Sequence, residues 1–572
     1  YYVLNQTQPV GRNIESFKLN FSSGCSSTVQ INHINLPQGI VLSNTGSNTW
    51  ELSGTPTTAG KYNYSITASI DNSTKTITGT FDIITVFDYM GGLFPKMLEG
   101  LVGHQIDHNL LNDSWVRHFS TPTPFVGGVN NTTYSPIWID SYWKRILNRV
   151  FAPGSEVINV AQANGFDDMF VKWSKLIQIL GGSRLTAYYG PIIYSSFNDD
   201  IGNQIYDSEQ ELYELWFDEL EDIVSTFSSN TDYTGFSEFD ATYNGDINKW
   251  IKMANSLRLR LAMRIVKIDP NLARNQAENA INDPGGLIIN NSENMMLSQY
   301  GATFQETTIS FAWNDTRMSA SMESILGGYD DPRVGQYWDP VDDASLVTDH
   351  PNFPYKGIRN GAYLASKDLH LPYSRFSSKF NNATHRKLID AAEVHLILAE
   401  AALRGWSTPL SAQAHYEAGI TKSFQYWGVG GVETYLANNT GIPLDYDDVV
   451  EVGNVNDFVS RITATVAWDE NGSNEEKLEK TITQKWIAAF TNSVEAWVDH
   501  RRTGYPKLPY NYKNDSSSEF GIIGDDEFLK RMVFPLYEVD SNPSGYQSGV
   551  NALDGPDEIS TRLWWDTEGS NF

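Results

Sequence analysis

"AEVHLILAEAALRGW", residues 392–406, decides how the rest of this chain is read. Ala, Leu, Ile and Val fill nearly every turn position, which marks a helix buried on most sides, and Ala391, Ala392, Ala399, Ala401 and Ala402 permit close helix contacts. Glu393, His395 and Glu400 stand inside it. Two carboxylates and an imidazole in apolar surroundings pose a choice between a catalytic or metal site and a scaffold. Glu393 and Glu400 share a face, but at about 1.5 Å per residue they are roughly 10 Å apart along the axis. That exceeds the spacing of a retaining glycosidase pair and lies at the edge of the roughly 6.5–9.5 Å of an inverting pair. They are expected to be structural acids, each paired with Arg or Lys from a neighbouring helix.

Length and charge bound the function classes. A chain of 572 residues buries a large core and has room for more than one domain. Aromatic residues make up 13%, which marks a globular chain. The net charge of −28 repels phosphate backbones and anionic lipid headgroups, which argues against nucleic acid as a partner. The single cysteine, Cys25, excludes an intramolecular disulfide framework and Cys-rich metal sites. No stretch has the roughly 18–20 apolar residues of a spanning helix, and the opening "YYVLNQTQPVG" does not read as a signal peptide.

Outward from the central helix, the texture changes once, near residue 87. Before it, "KYNYSITASI" and "TKTITGTFDIITV" alternate with period two between closely spaced turn signals, the pattern of a small all-β sandwich over residues 1–87. After it, over 88–572, the pattern is mainly α. "DSYWKRILNRVFAPGSEVINVA", "DDMFVKWSKLIQILGGSRLTAYYG", "SEQELYELWFDELEDIVSTF" and "DINKWIKMANSLRLRLAMRIVKID" carry apolar residues at spacings of three and four, often behind an Asp or Ser suited to N-capping. "RKLIDAAEVHLILAEAALRGW", "PLSAQAHYEAGITKSFQYWG" and "EEKLEKTITQKWIAAFTNSVEAWVDHRR" form a second helical group. Paired, Ala-rich helices of this kind are tetratricopeptide-like. Between the groups, from about Gly285 to His385, lies a loop-like region rich in aromatic, Asn, Asp and Gly residues, and long aperiodic stretches in compact proteins are usually functional.

Two sets of motifs carry resemblances. "NLPQGIVLSNTGSNTWELSGTPTTAGKYNYSITASI" resembles the immunoglobulin-like domains of bacterial surface proteins, which act as spacers or docking units. "WIKMANSLRLRLAMRIVKIDPNLARNQAENAI", "YDDPRVGQYW", "AAEVHLILAEAALRGW", "YEAGITKSF", "ITQKWIAAFTNSVEAWVDHRRTGYPKL", "RMVFPLYE" and "LWWD" resemble, in order, the SusD/RagB-like family of Bacteroidota, in its second SusD-like branch. The resemblance implies a SusD-like fold of tetratricopeptide-like helix pairs under a long loop-rich ligand face. It also implies a lipid-anchored, surface-exposed outer-membrane protein that sits as a lid on a SusC-like TonB-dependent β-barrel, captures an oligosaccharide for import and does not catalyse. A peptide-binding lid and a non-binding helical scaffold are the alternatives. Cys25 falls inside the β segment and does not match the family's acylated N-terminal cysteine.

The chemistry of sugar capture locates the candidate ligand residues. Sugars offer apolar C–H faces and rings of hydroxyls, so aromatic platforms beside Asp, Asn, Arg and Gln are the expected partners. Two segments supply both: "NDSWVRHFSTPTPF", with Asn112, Asp113, Trp115, Arg117, His118 and Phe119, and the central loops, with Trp313, Asn314, Asp315, Arg317, Tyr329, Trp338 and Tyr363.

Other constellations carry less. "HQIDH" sets His104, Asp107 and His108 on one helical face in a metal-ligand spacing, without the Glu of a His-Glu-x-x-His metalloprotease, and reads as a polar helix end. Asp339, Asp342 and Asp343 of "DPVDDASLVTD" offer oxygen ligands for a structural calcium, but lack EF-hand spacing and read as a solvated loop; no cofactor is expected. No phosphate-binding loop or Gly-x-Ser-x-Gly elbow occurs. Asp499, Arg501 and Arg502 of "DHRRTGYP" are expected to form an ion-pair network closing a helix end rather than an anion clamp.

Overall fold

The computed structural model describes residues 4–21, 29–46, 48–70, 73–102, 110–124, 132, 139–166, 168–298, 305–347, 352–383, 385–451 and 453–572. Cys25, His104, Asp107 and His108 lie outside them. The chain forms two compact units, one of Tyr1–Phe94 with Glu156–Phe170, the other of Pro95–Ser155 with Val171–Phe572.

The first unit contains a small β domain of two sheets. β1 (Asn5–Pro9), β3 (Gln30–Ile34), β6 (Gly60–Ile70) and β7 (Ser73–Ile84) make a four-stranded sheet of order β1-β7-β6-β3, with β1 parallel to β7. β2 (Phe17–Asn20), β4 (Ile40–Gly46) and β5 (Thr49–Gly54) make the second, of order β2-β5-β4. The period-two pattern does what it predicts: Tyr64 and Ile66 of β6, Phe81 and Ile83 of β7 and Leu52 of β5 share one core. The glycines of "LPQG" and "SGTP" have a steric reason. A Cβ on Gly39 would stand 1.9 Å from the Thr55 carbonyl oxygen and one on Gly54 2.2 Å from that of Gly39, so the two chain segments meet at van der Waals distance only because both side chains are absent.

The second unit is helical. Its scaffold helices are α1 (Asp168–Tyr189, from Val171 on), α2 (Glu209–Ser228), α3 (Ile247–Arg264), α4 (Pro270–Asn282), α5 (Ala391–Leu403), α6 (Ala412–Trp427), α7 (Asn474–Ala488) and α8 (Ser493–Thr503). Consecutive helices pack as pairs, α2 on α3, α3 on α4, α5 on α6 and α7 on α8, while α3 and α7 also meet α5. Caps mark their starts: Ser208 and Ser473 build complete capping boxes with Glu211 and Glu476, and Asp246, Asp269, Asp390 and Ser411 cap by side chain.

The central helix behaves as its composition requires, with every residue from Ala391 to Ala401 buried. Its acids are structural, as expected. Glu393 takes a two-pronged bond from Arg260 of α3 at 2.7 and 2.6 Å. Glu400 takes another from Arg502 of α8 at 2.7 Å on each oxygen, plus bonds from Arg404 at 3.0 and 2.7 Å. Burial alone would raise the Glu400 carboxyl, but the Arg502 and Arg404 guanidiniums hold it down at about 2. Arg264 pairs with Glu495 at 3.0 Å, so buried ion pairs lock α3, α5 and α8 together.

Two local readings differ from the structure. "RKLID" continues the helical pattern of the sequence, yet His385–Ile389 is a strand paired antiparallel with Met295–Ser298, and the helix starts only after Asp390. The Asp390 side chain accepts from the Glu393 backbone N–H at 2.8 Å, and a cap there ends helical geometry on its N-terminal side. The aperiodic centre also holds a helix, Ala320–Gly328, capped by Ser319 and buried nearly all round, so it lacks the polar face that reveals helices in sequence.

Candidate ligand-binding loops

The segment after residue 110 is interior. A four-residue helical turn, Asn112–Trp115, packs on α8. The Asn112 side-chain amide oxygen, Oδ1, accepts from the Tyr188 hydroxyl at 2.7 Å, and Trp115, 3% exposed, lies with its ring centre 4.6 Å from that of Trp497. Burial pushes the Asp113 carboxyl up to about 7, against the Ser493 hydrogen bond and the Arg386 charge. His118 Nε2–H donates to the Trp486 carbonyl at 3.0 Å, which leaves Nδ1 to accept from the Ser493 hydroxyl at 2.8 Å; burial holds this imidazole neutral, down to about 3. Phe119 stacks on Phe490 at 5.5 Å and meets Trp338 edge-on at 4.8 Å.

Three residues of the central set are equally enclosed. Trp338 is 1% exposed, Tyr329 donates its hydroxyl to the Ala464 carbonyl at 2.8 Å, and Arg317 spends its guanidinium on the carbonyls of Thr316 and Leu371 and on Asn314. As placed, Asn112, Asp113, Trp115, Arg117, His118, Phe119, Arg317, Tyr329 and Trp338 hold loops in position and present no open face to a sugar. The physical reason is that aromatic rings flanked by Asn, Asp and Arg satisfy a polar interior as well as they satisfy a ligand.

The open surface lies further along the loops. Trp313 is 41% exposed and Tyr363 51% exposed; Asn314 and Asp315, next to Trp313, are half-buried. Lys367 donates to the Trp313 carbonyl at 3.2 Å and pairs with Asp315 at 2.8 Å, so the stretch carrying Tyr363 also fastens the Trp313 loop. Asn456 brackets the Tyr363 backbone, accepting from its N–H and donating to its carbonyl at 2.8 Å each.

A third exposed ring, Tyr512 at 51%, joins them and was not among the sequence candidates. The Lys513 N–H donates to the Gly361 carbonyl at 2.7 Å, and the Arg359 guanidinium sits 5.8 Å from the Tyr512 ring centre. Arg117 explains this placement: its Nη2 donates to Asn511 at 2.7 Å and so anchors the Tyr512 loop from below. Its signal in the sequence is "LPYNYKND", an aromatic and Asn mixture of the same texture as the central loops.

The recess beside these loops, lined by Thr121, Arg359, Ala362 and Lys513 among others, holds only about 10 Å³, scarcely one water. At these loops a ligand of sugar size would therefore lie on the exposed rings and not in the recess. The candidate calcium acids have protein partners: Asp339 accepts from the Ser378 N–H, Asp342 pairs with Arg375, and Asp343 accepts from the Ser345 N–H. Among the described residues no group of three metal-ligating side chains comes together.

Comparison with known proteins places these features in a family context. The family model described as "Susd and RagB outer membrane lipoprotein", SusD-like, matches residues 75–566. A chitin-binding SusD homologue from Flavobacterium johnsoniae is 38% identical with a TM-score of 0.79, covering 85% of this chain and all of its own. A SusD homologue from Bacteroides vulgatus is 31% identical with a TM-score of 0.77, over 84% of this chain and 98% of its own. One from Bacteroides uniformis is 30% identical with a TM-score of 0.75, over 84% and 99%. A search of curated proteins finds no match.

Proposed function

The chain belongs to the SusD-like family of SusD and RagB outer membrane lipoproteins, and on that premise we propose that it is a surface glycan-binding protein, lipid-anchored, serving as the lid of a SusC-like TonB-dependent barrel. It captures oligosaccharide for import and does not catalyse. The observation that carries the reading is the group of exposed rings Trp313, Tyr363 and Tyr512 on loops fastened to one another through Lys367 and Arg359, with Asn456 holding the Tyr363 backbone. Exposed rings beside amide, carboxylate and guanidinium groups are what a sugar's C–H face and hydroxyls need. Asn314 and Asp315 complete the proposed surface. In the proposed division, residues 1–87 form an immunoglobulin-like spacer and 88–572 the ligand-binding domain.

The 38% identity to a chitin-binding protein makes β-linked N-acetylglucosamine oligomers the first cargo to test. Calorimetric titration with chitooligosaccharides should give saturable binding, weakened about tenfold by Trp313→Ala or Tyr363→Ala, since one lost stacking contact approaches 1.4 kcal/mol. Undiminished affinity in both variants would remove these loops as the site. Binding of peptides and of no glycan would support the peptide-lid alternative.

A further inference from the structure

A cavity of about 430 Å³ opens at the C-terminal end of α8, far larger than the recess at the loops and within the size range of small-molecule sites. Its wall is cationic although the whole chain carries −28. Lys267, Arg461, Arg501, Arg502, Lys507, Lys530 and Arg562 line it, against the carboxylates of Asp526 and Glu527.

The ion pairs do not absorb this charge evenly. Arg502 is matched by Glu400 and Asp499, Lys507 by Glu479, and Arg562 by Asp566 and Glu568. Lys530 reaches Asp566 only at 4.0 Å. Lys267, Arg461 and Arg501 form no ion pair among the described residues. Lys267 donates to the carbonyls of Arg502, Thr567 and Gly569, Arg461 to that of Leu508, and Arg501 to those of Ala187 and Lys530. Arg461 lies on the Tyr510 ring at 4.0 Å and Arg501 on the Trp497 ring at 3.4 Å.

Carbonyl and ring contacts orient these cations without neutralising them. Burial is the main cause that lowers the Lys267 and Lys530 ammoniums and brings the Arg501 guanidinium down to about 9; the Asp566 carboxylate opposes it at all three and cationic neighbours add to it. His500 is held neutral by burial and by the same cations, at about 3. The C-terminal dipole of α8 supplies roughly half a negative charge, less than the surplus.

We propose that this cavity binds a sugar acid, its oxyanion, whether carboxylate or sulfate, held by Arg461 and Lys530, while Lys267, whose three N–H groups go to the carbonyls of Arg502, Thr567 and Gly569, adds its charge to the wall. Charge-assisted bonds from a fixed set of guanidinium and ammonium donors are the strong form of oxyanion recognition. The volume admits a sugar ring with its acid group. The proposal is independent of the cargo bound at the loops.

The test is calorimetric titration of the full chain at fixed ionic strength with glucuronate, a sulfated hexose, inorganic sulfate and neutral glucose. Glucuronate or the sulfated hexose should bind and glucose should not. Lys267→Gln with Arg461→Gln should weaken that binding about tenfold or more. The charge-matched pair Lys144→Gln with Lys249→Gln, outside the cavity, should leave it unchanged. Arg461 is exposed, so Arg461→Gln alone supplies a variant with an undisturbed core, its fold checked by circular dichroism. Competition by inorganic sulfate would show that the oxyanion itself is read. Binding of sulfate alone, an equal loss in the control pair, or no acid-sugar binding would overturn the proposal.

Discussion

Replacing Glu400 by Gln removes one charge from the centre of the scaffold without changing side-chain size. Glu400 is 1% exposed and accepts from both Arg502 and Arg404, so solvent screens it little. Its carboxyl stands at about 2, against roughly 4.5 in an unfolded chain. At about 1.4 kcal/mol per pH unit, that difference stabilises the fold by about 3 kcal/mol at neutral pH. The figure agrees with the roughly 3–5 kcal/mol lost when one partner of a buried pair is removed. Because the folded pKa is depressed, this contribution is fully present above about pH 4.5 and disappears as the pH falls toward 2. Urea unfolding of Glu400→Gln, followed by tryptophan fluorescence, should therefore show a deficit of about 3 kcal/mol at pH 7 that narrows below pH 4.5. A cycle with Arg502→Met should give a smaller coupling, about 1–3 kcal/mol, since Arg404 still pairs with Glu400 and Asp499 with Arg502 when the other partner is changed. A deficit below about 1 kcal/mol, or one indifferent to pH between 4.5 and 3, would refute the role given to the pair.

Other outcomes follow from single residues. Trp115→Ala should cost about 3–5 kcal/mol of stability through the cavity left against Trp497, with glycan affinity unchanged in the folded protein; calorimetry of the folded variant checks this. His118, held near 3, withdraws stability at about 1.4 kcal/mol per unit as the pH falls below its unfolded value near 6.5. Asp113, raised to about 7, works in the opposite sense over the same range, so Asp113→Asn should steepen acid unfolding between pH 6.5 and 4.5 by a similar slope. Gly361 has a φ of +68° and a Cβ there would stand 2.7 Å from Asn511, so Gly361→Ala should cost about 1–3 kcal/mol and weaken glycan binding by displacing the Tyr512 loop.

The helical scaffold was legible because its causes are local. A 3.6-residue apolar pattern and Ser or Asp caps specify α2, α3, α5 and α6 wherever the rest of the chain lies, and alternation specifies β6 and β7 in the same way. The spacing of Glu393 and Glu400 already implied paired structural acids, and the structure supplied Arg260 and Arg502 as their partners. Which of these acids meets which arginine is a long-range matter: Arg502 lies 102 residues from Glu400 and touches it only because α5 and α8 occupy one core.

The ligand surface was the least legible part, for a related reason. Trp115, Trp338, Trp313 and Tyr363 have the same chemistry and similar neighbours in sequence, yet the first two are interior and the last two open to solvent. Exposure is decided by what packs above a ring, and those atoms come from distant segments, Trp497 for Trp115 and Phe490 for Trp338. Tyr512 belongs to this surface because Arg359 and the Gly361 carbonyl, about 150 residues away in the chain, hold its loop there. The cationic cavity is the extreme case, drawing Lys267, Arg461, Arg501 and Arg562 from four separate stretches. Sequence alone determined the family, the amphipathic scaffold helices and the β domain, because periodicity and capping are short-range, but not the enclosed helix Ala320–Gly328 or the strand His385–Ile389. Tertiary structure decided which aromatics face solvent and where cations gather, because burial and electrostatic field are sums over the whole fold.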